Sequence, residues 1–181
     1  MNVLVVSGLT KMNNGLVIIG AGAHARKLWH YATTLGITIT AIIDDNPQAI
    51  SPCPSIPCLL MQNAHVLESG QRYVVAIGNA AVRRRLQEEF DSKGWLPITL
   101  IHPTAYVAPD ALIGAGSVIC ALAVVETGSV IGAGTIVDVG SIVDHDCKVG
   151  SYCHLKAGYV VQPYTSIVDG QVLSVLNGVI K

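Results

Sequence analysis

The residue best suited to acid–base chemistry is His145, which stands between Asp144 and Asp146. A carboxylate beside an imidazole holds the ring in one tautomer and makes it more basic. This arrangement suits a general base that takes a proton from an attacking amine or hydroxyl. The alternative is a solvated polar corner without chemistry. We treat His145 and Asp146 as candidate catalytic residues.

A second histidine, His154, follows nine residues later, and Cys147 and Cys153 lie between the two histidines. Histidine and cysteine are ligands that zinc prefers, so a metal site is one reading of this group. Both cysteines, however, occupy positions where the repeat described below favours a small side chain. They need no other reason to be there, and we expect no metal.

A glycine turn, GAGAHA at residues 20–25, follows a short apolar strand and precedes a helical stretch. Gly20 and Gly22 in this setting bring backbone amides and a helix N-terminus to a phosphate. Asp44, at the end of the next strand, is placed to accept a hydrogen bond from a ribose hydroxyl. The alternative is a tight turn without a ligand.

Gly78 and Asn79 follow a later strand and would line the same crevice as the glycine turn. Asn79 also suits the N-cap of the next helix, and the two roles are compatible. That helix carries the run Arg83–Arg85, which we interpret as a solvated face, with contact to a nucleotide phosphate as the alternative.

The elements that must position these residues fall into two halves. In the first, the pattern predicts an α/β unit with a parallel sheet. Its strands are expected at 16–19, 38–43, 73–77 and 98–101, and its helices from after the glycine turn to about residue 35 and at 80–93. Residues 1–15 have two readings, an extra edge strand or an extension. We place the domain boundary between residues 100 and 101, so that the domains are 1–100 and 101–181.

The second half repeats every six residues: each sixth residue from Ile101 to Val179 is aliphatic. Six residues on an α-helix, at about 3.6 per turn, would place successive aliphatic anchors on different sides, so a helix is excluded. Short strands broken by a bend every six residues keep all anchors inside a stack of coils. The repeat therefore predicts a parallel β-helix.

Small side chains recur four residues after each anchor, as at Ser117, Ala123 and Thr135, because the corner of a coil is tight. The pattern loosens at Tyr159 and is lost at Gln171 and Asn177. We therefore expect the last coil to be irregular.

Composition excludes several classes of protein. The chain has 181 residues and a formal net charge of -1, which provides no basic field for nucleic acid. Charge-free stretches are interrupted by glycine or proline, so we expect no membrane insertion. Five cysteines without a recurring spacing and no export signal are typical of a cytoplasmic protein with reduced thiols.

Five segments, taken in order, resemble the NeuD/PglD-type sugar acyltransferases. They are LVIIGAGAHARKL, AIIDDNP, VVAIGNAAVRRRL, LIHPTAYVAPDALIGAGSVI and SIVDHDCKVGSYCHLKAG. The resemblance implies a Rossmann-like nucleotide-sugar-binding domain followed by a left-handed β-helix. It also implies a homotrimer that uses acetyl-CoA to acetylate a UDP-4-amino sugar in surface glycan biosynthesis, or a hydroxyl in the sialic acid branch.

The resemblance also assigns site residues. It places the general base on His145 with Asp146 as its carboxylate helper. The acyl donor falls near His154, Ala157 and Gly158. The nucleotide-sugar positions are Gly20, Gly22, His24, Asp44, Asp45, Gly78 and Asn79.

Two departures keep other functions open. Pro163, one coil after His145, takes the place of a family glycine whose amide faces the thioester carbonyl, and proline has no N–H. Fewer coils also follow the histidines than in the family. A shortened trimer that binds nucleotide sugar without efficient acyl transfer is therefore a second hypothesis. A nicotinamide-dependent oxidoreductase, which rests on the glycine turn alone, is a third.

Overall fold

The computed structural model describes residues 15–67 and 69–175, so both readings of the N-terminal extension lie outside the described residues apart from Gly15. The first half is the α/β unit that the sequence predicts. Its elements are β1 (Leu16–Ile19), α1 (Ala23–Thr34), β2 (Ile39–Asp44), β3 (Cys58–Leu60), a 3-10 helix (Met61–Val66), β4 (Arg72–Val75), α2 (Ala80–Ser92) and β5 (Leu96–Pro97).

These strands form one parallel sheet in the order β3-β2-β1-β4-β5. Two details differ from expectation. Strand β3, which directly follows Pro57 and pairs with β2, is not among the strands that the sequence predicts. The strand expected at 98–101 is divided, because Ile98 N donates to Tyr73 O in this sheet whereas Leu100 N donates to Ser117 O in the next domain.

The two helices cover opposite faces of the sheet. Apolar residues of α2, such as Leu86 and Phe90, pack against Val17 and Val75. On the other face, α1 lies between the sheet and the second half of the chain. Leu28 belongs to an apolar cluster that contains Ile18 of the sheet and also Val118 and Ile136 of the second half. The α/β unit and the repeat domain therefore share a core around α1.

The second half consists of two-residue strands, one for each hexad. They are β6 (Leu100–Ile101), β7 (Tyr106–Val107), β8 (Leu112–Ile113), β9 (Val118–Ile119), β10 (Val124–Val125), β11 (Val130–Ile131), β12 (Ile136–Val137), β13 (Ile142–Val143), β14 (Lys148–Val149), β15 (His154–Leu155), β16 (Val160–Val161), β17 (Ser166–Ile167) and β18 (Val172–Leu173).

The short strands stack into three parallel sheets, which are the sides of a triangular prism. We call the sheet β6-β9-β12-β15-β18 the covered face, because the α/β unit packs against it. The sheet β7-β10-β13-β16 is the first open face, and β8-β11-β14-β17 is the second open face. The predicted fold class, an α/β domain followed by a left-handed parallel β-helix, is confirmed.

The aliphatic anchors fill the interior of the prism, as the repeat predicts. Those in the middle coils, such as Ile131 and Val137, are buried, whereas Ile101 and Leu173 at the two ends are partly buried. Val179 lies outside the described residues. The interior is therefore a continuous aliphatic column.

The small corner residues also supply hydrogen bonds. Ser117 Oγ donates to Gly132 O at 2.9 Å and accepts from Thr135 N, one coil later, at 3.1 Å. Cysteines continue this ladder, since Cys147 Sγ and Cys153 Sγ donate to backbone carbonyls. Their thiols thus replace hydroxyl groups within the fold.

The irregularity expected at Gln171 is not observed, and Asn177 lies outside the described residues. Gln171 O accepts from His154 N at 2.8 Å, and Val172–Leu173 remain paired with β15. The backbone ladder maintains the coil even where the small-residue pattern fails. Within the described residues, no helix is long and apolar enough to cross a membrane.

Candidate functional site

His145 lies in the turn between β13 and β14, at the corner where the two open faces meet. Its Nδ1 is 2.9 Å from Asp146 Oδ2, and its backbone N–H donates to Asp144 Oδ1 at 2.8 Å. With Nδ1–H donating to the carboxylate, the neutral ring leaves the Nε2 lone pair free to accept a proton. The local geometry is that of an oriented general base.

The carboxylates around His145 raise its pKa above the ordinary value. The hydrogen bond to Asp146 is the main cause, and the charges of Asp144 and Glu126 act in the same direction. The ring is 39% exposed, so a substrate can reach it. The turn thus holds a basic, accessible imidazole.

Asp146 has a left-handed backbone, with φ of 57°. The same conformation recurs three residues after each anchor from Ile113 to Ile167, and glycine occupies six of these ten corners. Asp146 is thus one of four exceptions to a glycine pattern that accompanies the aliphatic anchors. A non-glycine residue in this conformation is a signal that can mark a functional turn.

The next coil places Tyr164 against His145. The two rings are perpendicular, with centroids 5.0 Å apart, and Tyr164 N donates to His145 O at 3.2 Å. Pro163 precedes this tyrosine and cannot donate a backbone hydrogen bond. Tyr164 therefore packs against one side of the candidate base.

The glycine turn is shaped by Asp44. Gly20 has a φ of 105°, and a Cβ there would lie 2.7 Å from Ile77 Cδ1. Asp44 Oδ2 accepts from Ala21 N at 2.7 Å, and its Oδ1 accepts from Asn46 N at 2.9 Å. The carboxylate expected to meet a ribose thus also holds the turn in place.

Gly22 is the N-cap of α1 and provides no side-chain cap. A crevice of about 370 Å³ opens beside it, lined by Ala21, Gly22, Ala23, Arg26, Ile50, Ser51 and Pro52. Asp45 lies elsewhere, because it lines a separate groove of about 900 Å³ beside Trp95. The structure thus directs the two adjacent aspartates to different surroundings.

His154 projects from the covered face towards the α/β unit and is 4% exposed. Its Nδ1 is 3.5 Å from Gly78 O, and its Nε2 is 3.4 Å from Asp138 Oδ2. Asn79, next to Gly78, is the N-cap of α2 and accepts from Val82 N. The structure therefore brings His154 to the predicted nucleotide-sugar loop.

Asp138 is a site residue that the sequence reasoning missed. Burial raises its pKa, but hydrogen bonds from His154 and Lys27 outweigh that effect and hold the pKa well below its ordinary value. The Lys27 Nζ to Asp138 Oδ1 distance is 2.6 Å. This ion pair connects α1 to the covered face, and no local motif signals it because the two residues are far apart in sequence.

His24 completes this group. Its ring centroid is 6.5 Å from that of His154, and its Nε2 is buried without a hydrogen-bond partner among the described residues. Burial lowers the pKa of His24 to about 4, and the Lys27 charge contributes in the same direction. The ring is therefore neutral at neutral pH and has one nitrogen available for a ligand.

The predicted site residues thus fall into separate places within one chain. His24, Gly78 and His154 meet between the α/β unit and the covered face, whereas His145 lies at the opposite corner of the prism. Ala157–Gly158 are exposed at a third corner, between β15 and β16. Across residues 15–67 and 69–175, no group of His, Cys, Asp and Glu side chains is arranged to hold a metal ion.

Comparisons with known proteins agree with this architecture. The family described as PglD N-terminal domain matches residues 15–90. A search of curated proteins finds no significant match. The acetyltransferase domain of PglB from Neisseria gonorrhoeae is 30% identical, with a TM-score of 0.78 over 90% of this chain and 89% of that one, and has also been solved with acetyl coenzyme A.

A histidine-to-asparagine mutant of perosamine N-acetyltransferase from Caulobacter crescentus, solved with CoA and GDP-perosamine, is 27% identical. Its TM-score is 0.76 over 92% of this chain and 88% of that one. WeeI from Acinetobacter baumannii shares the fold at 19% identity, with a TM-score of 0.73 over 88% of this chain and 74% of that one.

The fold, the histidine-bearing β-helix corner and these similarities define an acyltransferase. The chain belongs to the NeuD/PglD-type family of sugar acyltransferases, as its five sequence segments predict.

Proposed function

We propose that this protein transfers the acetyl group of acetyl-CoA to the amino group of a nucleotide-linked amino sugar. The observation that carries the proposal is the His145–Asp146 pair, which provides a basic imidazole with an available Nε2. Similarity to the gonococcal PglB domain and to perosamine N-acetyltransferase supports both substrates.

The reaction needs one base and no covalent enzyme intermediate. The amine nitrogen attacks the acetyl carbonyl carbon while His145 Nε2 takes the proton that the amine loses. The C–N bond forms, the C–S bond breaks, and the electron pair leaves with the sulfur. The proton held by His145 then passes to the thiolate, so the products are the acetamido sugar and free CoA.

The α/β unit is the proposed nucleotide-sugar side of the site. The crevice beside Gly22 offers backbone amides at the start of α1, and Arg26 lines it. Such a crevice suits the diphosphate of a nucleotide sugar. Gly20, Gly78 and Asn79 are further proposed contacts for the nucleotide sugar, and the available nitrogen of His24 suits a sugar or phosphate oxygen.

For the nucleotide and the sugar we propose the UDP-4-amino type and a place in surface glycan biosynthesis. Asp44, at the end of β2, is a proposed contact for the nucleoside, and Asp45 is a proposed contact for the part of the nucleotide sugar that extends to the groove beside Trp95. His154, Ala157 and Gly158 are the proposed contacts for the acyl donor.

Free cysteine thiols, such as the buried Cys120, fit the reducing cytoplasm that we propose as the location of the protein.

We further propose that the active enzyme is a homotrimer with its active site between chains. The first open face presents an outward row of apolar residues, in which Tyr106 is 51% and Val160 is 43% exposed. Contiguous exposed apolar surface of this kind is typical of subunit interfaces. A second chain would also bring its His145 to the His24–His154 group, which is remote from the first chain's own His145.

The decisive experiment measures release of free CoA thiol when the protein is mixed with acetyl-CoA and a panel of UDP- and GDP-linked sugars. Each sugar is supplied in amino and hydroxyl forms. We expect release with a UDP-4-amino sugar and a loss of roughly 10²–10⁴-fold in His145→Gln. Release with hydroxyl sugars alone would indicate O-acetylation instead.

A binding protein without efficient transfer is the second candidate. Pro163, one coil after His145, favours it, because proline has no backbone N–H to donate to the thioester carbonyl. Calorimetry and thiol release, measured on the same samples, distinguish the two functions. Calorimetric binding of nucleotide sugars without thiol release, for any sugar in the panel, would support the binding protein and contradict the acetyltransferase.

A further inference from the structure

Arg83, on the first turns of α2, is the largest fully buried side chain in the part of the chain that the structure describes, and it is 1% exposed. Its guanidinium donates only to backbone carbonyls. Nη1 donates to Ile77 O at 2.8 Å and Gly78 O at 3.1 Å, in the loop after β4. Nε donates to Gly134 O at 2.6 Å, in the β-helix.

The other terminal nitrogen reaches the coil that carries His154. Nη2 donates to Tyr152 O at 2.7 Å and to Cys153 O at 3.0 Å. The planar guanidinium therefore uses all five donors, and four of them connect the loop of Gly78 with the residues immediately before His154. The Gly78 carbonyl is shared, because it accepts from Arg83 and faces His154 Nδ1.

This arrangement differs from the solvated face expected for residues 83–85. Burial lowers the pKa of Arg83 to about 10, so the group remains charged at neutral pH. Among the described residues it has no carboxylate partner, whereas its neighbours Arg84 and Arg85 are more exposed and pair with Asp169 and Glu89. Burying a charge is costly, and here the five hydrogen bonds to carbonyl oxygens offset that cost in place of a carboxylate.

We infer that Arg83 is a positioning residue for the reaction: it holds the Gly78–Asn79 loop at a fixed distance from His154, so that the sugar bound there is presented correctly to the base. This inference rests on the proposed function. Arg83 touches neither substrate in this role. Its effect is on the alignment of the sugar, because the Gly78–Asn79 loop is outside the ladder, whereas β15 is paired on both sides and keeps His154 in place for the acyl donor without Arg83.

The test compares Arg83→Met with Arg83→Lys, using Arg85→Met as the matched control on the same helix. In Arg83→Met we expect kcat/KM for the nucleotide sugar to fall at least tenfold, while KM for acetyl-CoA stays within twofold. Arg83→Lys retains the charge and part of the donor set, so we expect partial recovery. Arg85→Met should match the wild type.

Amide hydrogen exchange on the same proteins keeps this inference separate from the proposed function. We expect faster exchange in the peptide covering 77–80 for Arg83→Met and not for Arg85→Met. A wild type without any turnover would contradict the proposed function, while the exchange difference would still test the contact. A folded Arg83→Met protein with normal kinetics, equal changes in both KM values, or loss of folding in both Arg83 variants would overturn the inference.

Discussion

Gly128 lies one coil before Asp146 and leaves the space in which the Asp146 carboxylate meets His145. A Cβ at Gly128 would be 2.5 Å from Asp146 Oδ1. Gly128 N also donates to Asp110 Oδ2 at 3.1 Å, which fixes the preceding corner. The orientation of the candidate base therefore depends on a glycine eighteen residues away in the chain and adjacent in space.

Replacing Gly128 with alanine should damage activity more than stability. Both Gly128 and the control Gly170 have positive φ, 68° and 74°, so alanine at either costs on the order of 1–2 kcal/mol. Nothing lies within 4 Å of a Cβ at Gly170. We expect Gly128→Ala alone to lower kcat, by roughly tenfold or more, because a misoriented base loses part of its catalytic contribution. Equal kcat in the two folded variants, measured by thiol release, would contradict this.

The pH profile should report the His145–Asp146 contact. Asp146 raises the pKa of His145, and a general base acts only when its ring is neutral. Activity is therefore lost on the acid side as the imidazole becomes protonated. In Asp146→Asn the pKa falls, so we expect the acid limb of kcat/KM to move to lower pH and the plateau to drop.

The sugar amine ionises identically with both enzymes, which makes the difference between their profiles specific to the imidazole. Asp169→Asn, at an exposed ion pair with Arg84, serves as a control for the loss of one surface charge. An unchanged acid limb in Asp146→Asn would assign the base to another group.

Much of this architecture follows from local patterns, and the exceptions depend on long-range packing. The six-residue period predicts that Ile131 points inward, because the backbone alternates regardless of what surrounds the prism. The period does not indicate which of the three faces the α/β unit covers. The burial of His154 against the α/β unit is therefore not predicted by the period.

Arg83 shows the same limit, because its position in an arginine run indicates solvent whereas five carbonyls from both halves surround it. Asp138 was missed because its partner Lys27 is distant in sequence. His145 and Asp146, by contrast, are adjacent in sequence, and their contact within one turn requires no long-range packing.

His24 should make the protein sensitive to mild acid. Its pKa is about 4 in the folded chain and 6.5 in the reference state, so between these values the unfolded chain binds more protons. Stability therefore falls as the pH decreases through this range, by on the order of 3 kcal/mol from this group. Urea titrations at one pH above 6.5 and at another near pH 4 give the free energy of unfolding at each pH. We expect the decrease between the two to be smaller in His24→Gln than in the wild type.

Other groups titrate equally in the two proteins, and their contributions cancel in the comparison. His30, which is exposed on the same helix, is the matched control, and His30→Gln should retain the acid sensitivity of the wild type. If His24→Gln and the wild type lose the same stability, His24 is not buried in its neutral form.

The inward register of the β-helix can be tested within a single strand. In β14, Val149 points inward and is 3% exposed, whereas Lys148 points outward. An unpaired carboxylate at Val149 would be buried, at a cost of roughly several kcal/mol. We expect Val149→Asp to lose its thermal unfolding transition by circular dichroism and Lys148→Asp to keep it. A folded Val149→Asp protein would show that the register is wrong.

The location of the active site between chains can be tested by mixing subunits. His145 lies where the two open faces meet, and His154 lies on the covered face opposite that corner, so one prism separates the two rings. Three such prisms around a threefold axis would place the corner of one chain beside the covered side of the next and make three equivalent clefts. One substrate could then contact His145 of one chain and His154 of its neighbour.

We expect His145→Gln and His154→Gln to be inactive as separate preparations and to recover part of the activity when exchanged into mixed trimers, because some clefts then receive both intact histidines. Mixing two preparations of His145→Gln is the control and should recover nothing. Subunit exchange is verified by native mass spectrometry with one variant labelled with ¹⁵N, because the two variants have the same mass, and the assembly is expected at three times the 19.0 kDa chain. If exchange is complete and no activity returns, both histidines act within one chain or His154 has no part in the reaction.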